Sequence, residues 1–204
     1  MTKTSILVAL SLLVPTTVLA DEPLQHTLAD NDVLRGHFVQ ERHLQGFTQS
    51  LRSEGRFVLT PSHGLIWRTE KPFAVTTIIT PNGLAQDVNG SKTLNLPAAK
   101  LPFLTRLYHM LGGALSGDWN ALKQDFAIKR SGDDQHWQLD LLPKQTDNPA
   151  MPFRAIVVKG GRFVDEVTLD KPEGDFDKLM FSEQSLSSAP LAPDEAAIFD
   201  QTPK

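Results

Sequence analysis

The sequence has 204 residues, a formal net charge of −4, 40% hydrophobic and 22% charged residues, and no cysteine. This is ordinary usage for one sizeable globular domain that must fold without disulfides. The acidity argues against nucleic acid or anionic lipid headgroups as the main partner, because both attract basic surfaces; it leaves binding through apolar surface open.

Lys3 precedes an apolar run over 6–14, and Val18 and Ala20 put small residues at the two positions a signal peptidase reads. The run falls short of the ~20 residues a spanning helix needs, and Asp21-Glu22 follow at once. A cleaved secretory signal peptide over 1–20 is therefore expected, with a single mature domain over 21–204. With no cysteine to acylate, the exported product is expected to be soluble and periplasmic.

A short helix is expected around Pro23, Leu24 and Leu28, and then strand follows strand. Over 33–44, Leu34, Phe38 and Leu44 share one parity. Over 51–59, Leu51, Ser53, Gly55, Phe57 and Leu59 share one face, with Arg52, Glu54 and Arg56 on the other. Each of these strands has one apolar and one wet face. Leu65, Trp67 and Thr69 mark a third strand, and 73–80 is a β-branched run closed by Pro81-Asn82-Gly83. Asn89-Gly90 turns the chain again.

The middle changes period. Leu104, Leu107, Tyr108, Leu111 and Leu115 recur at three- and four-residue spacing behind Pro102, and Gly112, Gly113 and Gly117 mark an end. An amphipathic helix of about three turns is predicted, with a second short one over 119–123. Strands resume at 126–130, 135–142, 153–159, 162–170 and 175–188, with turns at Ser131-Gly132-Asp133-Asp134 and Gly160-Gly161. The loop 143–152 and the tail beyond Ser188 are loosely composed. The pattern predicts a mainly β (α+β) fold: an incomplete, strongly curved antiparallel β-barrel with a helical lid over its concave face and a lipid-sized cleft between them.

Catalytic and metal readings find little support. His26, His37, His43, His63, His109 and His136 form no zinc motif, and His37 and His43 lie nearly 20 Å apart along one extended strand. Ser116 lacks the preceding glycine of a nucleophile elbow. Gly90-Ser91-Lys92-Thr93 reads as a hairpin turn, not a phosphate loop, and Asn89-Gly90-Ser91 as a chance glycosylation triplet. The pairs Glu41-Arg42 and Asp133-Asp134 read as solvated charge. No enzyme activity, metal or cofactor is expected.

The stretches GHFVQERHLQGF, LRSEGRFVLTPSHGLIWRTEKPF and ITPNGLAQDV resemble the outer-membrane lipoprotein carrier (LolA-like) family through Phe38 and Gln40, Gly55 and Phe57, and Trp67 and Pro72. The likeness continues through LPFLTRLYHML and DFAIKRSGDDQHWQLDLLPK to Ile198 and Phe199. The resemblance implies an incomplete eleven-strand barrel with a helical lid. It also implies acyl chains of lipoproteins or a related lipid-linked product as cargo, an inner-membrane releasing transporter or exporter, and an outer-membrane acceptor. Thr60-Pro61-Ser62-His63 stands where the best-known carriers place an arginine that helps hold the lid shut, so closure by apolar contact alone is expected. Leu65 keeps the apolar residue important for cargo transfer.

Exposing a C16 chain costs on the order of 12 kcal/mol at ~0.8 kcal/mol per methylene, so a lipid crossing water needs a shield. Phe38, Phe57, Leu59, Leu65, Trp67, Val75, Ile79, Trp137 and Leu139 are the candidate lining of the concave face, with Leu104, Leu107 and Leu111 closing it from the helix. Taken singly, each also reads as plain core. A monomeric carrier that shields lipid is the leading expectation. A lipid-sensing regulatory module on the same barrel, and more remotely a lipid-modifying enzyme, are the alternatives.

Overall fold

Alternation of apolar and polar residues becomes strand pairing in the computed structural model, which describes residues 28–100, 122–145 and 153–202. Six strands come first: β1 (Val33–His43), β2 (Leu51–Thr60), β3 (Gly64–Lys71), β4 (Val75–Thr80), β5 (Gly83–Val88) and β6 (Ser91–Pro97). Five follow: β7 (Phe126–Gly132), β8 (Trp137–Pro143), β9 (Ala155–Gly160), β10 (Val164–Asp170) and β11 (Phe176–Ser187). They form one antiparallel sheet in the order β6-β5-β4-β3-β2-β1-β11-β10-β9-β8-β7. Two meanders thus meet at the centre, where β1 pairs with β11, and β6 and β7 are the two edges. The Asn89-Gly90 turn between β5 and β6 holds both residues at positive φ, the conformation a two-residue hairpin needs.

A flat sheet of eleven strands would extend about 48 Å at ~4.8 Å per strand. Its inner face is nevertheless buried in one cluster reaching from Leu84 on β5, through Leu34 and Phe38 on β1, to Leu141 on β8 and Phe126 on β7. The sheet therefore curls, as the sequence pattern predicts, and among the described residues it remains open, β6 and β7 not pairing with each other.

The outer face carries a second, smaller core of Ile66, Ile78 and Ala85, covered by Phe199 with Leu191 and Ile198. These come from the tail, which the sequence reading left as loosely composed. The structure corrects this: Pro193–Phe199 is a helix, α1, entered through Pro193 and anchored by Glu195. The Glu195 carboxylate accepts from Arg35 Nε and Nη2 at 2.7 and 2.6 Å and from the Ala192 N–H at 2.9 Å. Other outer-face pairs, such as Lys71 with Glu54 and Arg56 with Glu70, are exposed and contribute little singly.

The sequence reading places hairpin turns at 81–83 and 89–90 but no strand beyond the second; the structure adds β6, an edge strand. The expected signal peptide, the helix over 102–115 and the lid residues Leu104, Leu107, Tyr108 and Leu111 lie outside the described residues. A single 3-10 turn, Leu122–Gln124, overlaps the second expected helix.

Candidate functional site

Register turns the inner-face residues into rows that cross the sheet. Leu186, Leu34, Leu59, Leu65, Ile79, Leu84 and Leu96 are successive cross-strand partners from β11 through β1 to β6. Each of the five from Leu34 to Leu84 therefore lies between two other large aliphatic partners, the arrangement that stabilises a sheet face.

The next row is aromatic and then polar: Gly36, Phe57, Trp67, Thr77 and Gln86. Phe38 stacks on Trp67 with ring centroids 3.8 Å apart. Phe181 meets Phe57 and Trp67 edge-on at 5.6 and 6.2 Å. Glycine makes this possible. Gly36 lies opposite Phe57, whose ring leans over a strand position with no side chain in its way, and Gly55, opposite Phe38, leaves room for the backbone of Arg68 and Thr69 on β3. Beyond Trp67, Gln86 Nε2 donates to Thr77 Oγ1 at 3.1 Å and ends the aromatic stretch.

In the other arm, Leu179, Val167, Val158 and Leu139 form a row from β11 to β8. Trp137 is buried beside Gly160, and its indole N–H donates to the Gly161 carbonyl at 2.7 Å.

One end of the inner face is charged. Arg42 and Asp177 are direct cross-strand partners. The Asp177 side chain is only 6% exposed and accepts from Arg42 Nε and Nη2 at 2.9 and 3.2 Å and from Lys171 Nζ at 2.7 Å. Burial alone would raise its pKa; the hydrogen bonds from Arg42 and Lys171 outweigh burial and hold the carboxyl below its usual range. Arg42 is itself exposed, as the sequence reading expects of it, but its partner Asp177, 135 residues away, is buried, which that reading did not foresee.

Of the candidate lining residues, Phe38, Phe57, Leu59, Leu65, Ile79, Trp137 and Leu139 lie buried in the inner cluster, and half-buried Trp67 packs against it. Val75 shares their face but stands outside the cluster, partnered by Thr69 and Val88 near the sheet's end. Sequence reasoning missed Phe181, Leu179, Val167 and Val158. The alternation of 177, 179 and 181 within 175–188 carried the signal, but β11's central place did not show.

A family model described as outer membrane lipoprotein carrier protein, LolA-like, matches residues 13–180. The chain belongs to this family. This LolA-like chain is similar in fold to a LolA superfamily protein from Nitrosomonas europaea, at 8% identity and a TM-score of 0.43, covering 85% of this chain and 92% of that one. It is also similar to a DUF1329 family protein from Desulfovibrio piger, at 10% identity and 0.44, covering 84% and 90%. A third likeness is to a chain of the Pseudomonas aeruginosa MucA/MucB complex, at 14% identity and 0.40, covering 81% and 55%, so the LolA-like chain spans about half of it. No curated protein matches in sequence.

Proposed function

We propose that this protein is a soluble periplasmic carrier. It takes acyl chains of lipoproteins or a related lipid against the inner face of its open barrel and passes them from an inner-membrane transporter towards an outer-membrane acceptor. The observation that carries this reading is the row of seven aliphatic residues from Leu186 to Leu96, continued by the aromatic cluster, on one face of a sheet whose edges, β6 and β7, have no further strand partner among the described residues. Apolar contact of this kind is non-directional and can be exchanged for contact with acyl chains at little net cost. Membership of a lipoprotein carrier family supports the same reading. Export through cleavage after Ala20 belongs to it, so the mature protein begins at Asp21.

The test is to purify the protein from its native periplasm, sequence its N-terminus and identify extracted lipid by mass spectrometry. The loaded protein is then mixed with acceptor membranes and cargo transfer is followed. Co-purifying acyl lipid that moves to the acceptor is the expected result. Protein free of acyl lipid that neither takes up nor releases it would overturn the reading.

A further inference from the structure

Gln184 breaks the apolar rule of the inner face. Between the pairs Arg35–Ser185 and His37–Ser182 the β1–β11 register shifts, so that Glu183 and Gln184 both stand opposite Gly36. Glu183 takes the left-handed conformation, φ 51°, seen at the first residue of a G1-type bulge. The extra residue turns Gln184 inward: a Cβ at Gly36 would meet both the Phe57 ring and Gln184 Cγ, so the side chain lies on the same side of β1 as the aromatic cluster.

Its amide nitrogen donates to the Val164 carbonyl at 2.8 Å. A carbonyl only accepts, so this bond fixes which amide atom is nitrogen and which is oxygen. The oxygen, Oε1, is then a buried acceptor with no partner among the described residues. Buried polar atoms are normally paired, and an orphan calls for a reason.

Resting on the carrier reading above, we infer that Gln184 Oε1 receives a hydrogen bond from the cargo, from an N–H or O–H donor carried where the acyl chain meets its headgroup. An ester has no such donor and leaves the oxygen orphaned. The site thus prefers amide-linked or hydroxylated lipids.

The test compares three uncharged C16 probes, N-methylpalmitamide, hexadecanol and methyl palmitate, by displacement of an apolar fluorescent dye from wild-type protein and from Gln184→Met. Wild type should bind the amide, the alcohol or both about five- to tenfold more tightly than the ester, and whichever is preferred names the donor. In Gln184→Met the preference should vanish while ester affinity is kept. Equal binding of all three by wild type overturns the inference, whether or not the variant folds, as does a preference that persists in a folded variant. Binding of none overturns the carrier reading itself.

Discussion

Gly36 faces Phe57 across the β1–β2 ladder, and the Phe57 ring fills the space a side chain at position 36 would take: a Cβ there would sit 2.7 Å from one ring carbon and 2.9 Å from another. It would also press on Gln184 Cγ at 3.0 Å.

Gly36→Ala should therefore displace the Phe57 ring and loosen its contacts with Trp67 and Phe181. Overpacking of this kind costs about 1–3 kcal/mol. Urea unfolding would give the loss, and the near-ultraviolet circular dichroism of the aromatic cluster should weaken in the folded state. Unchanged stability and spectrum would mean that the ring has room elsewhere.

What was legible in the sequence was what a period of two encodes locally. Leu51, Ser53, Gly55 and Phe57 alternate with Arg52, Glu54 and Arg56, so the face of β2 could be read from a few residues, whereas Val58 and Ile66, apolar between Phe57 and Leu59 and between Leu65 and Trp67, blur the alternation where the second core lies. Glycine at 36 and 55 was visible, but its purpose lay in the register with a neighbouring strand. The pair Arg42–Asp177 and the bulge at 183–184 depend on β1 meeting β11, a contact between opposite ends of the chain that no local pattern announces. Helix α1 has only two turns, and Ile198 and Phe199 at its end are too few to show an apolar stripe. They gain their meaning only against Ile66 and Ile78 on the outer face.

Trp67 is the half-buried member of the aromatic cluster, stacked on Phe38. If cargo enters against the inner face, brominated acyl chains should quench its emission in a variant with Trp119 and Trp137 replaced by phenylalanine. Trp67→Ala should weaken acyl binding by about tenfold, the loss expected when one aromatic contact and its buried area are removed. Emission that bromine leaves untouched on saturation would place the chains elsewhere.

Phe199 gives the opposite pattern because it covers the outer face. It is buried against Ile66, Ile78 and Ala85, and Phe199→Ala should cost about 3 kcal/mol. Acyl affinity of the folded variant should change less than twofold, since none of these side chains belongs to the inner cluster. A large loss of affinity at full folding would show that the two faces are coupled through the sheet.

Asp177 makes acid the condition that tests the charged end of the inner face. Its carboxyl is held below its ordinary value by Arg42 and Lys171 against the effect of burial, whereas in the unfolded chain it titrates near about 3.9. Below that value the unfolded state binds the proton more readily than the folded state. The stabilisation from this group is therefore fully present above about pH 5 and is lost as pH falls through the folded pKa. Asp177→Asn keeps the shape but leaves Arg42 and Lys171 without their carboxylate, at a cost of about 2–3 kcal/mol near neutral pH. The comparison to make is urea unfolding of both proteins at pH 7, 5 and 3. The gap between them should hold from pH 7 to 5 and narrow at pH 3, where wild type begins to lose what the variant never had. Other carboxylates titrate in the same range, Glu195 held low by Arg35 among them, but they are common to both proteins and cancel in the difference. A gap that stays constant down to pH 3 would mean that Asp177 acts through packing and hydrogen-bond shape, and that its charge contributes nothing.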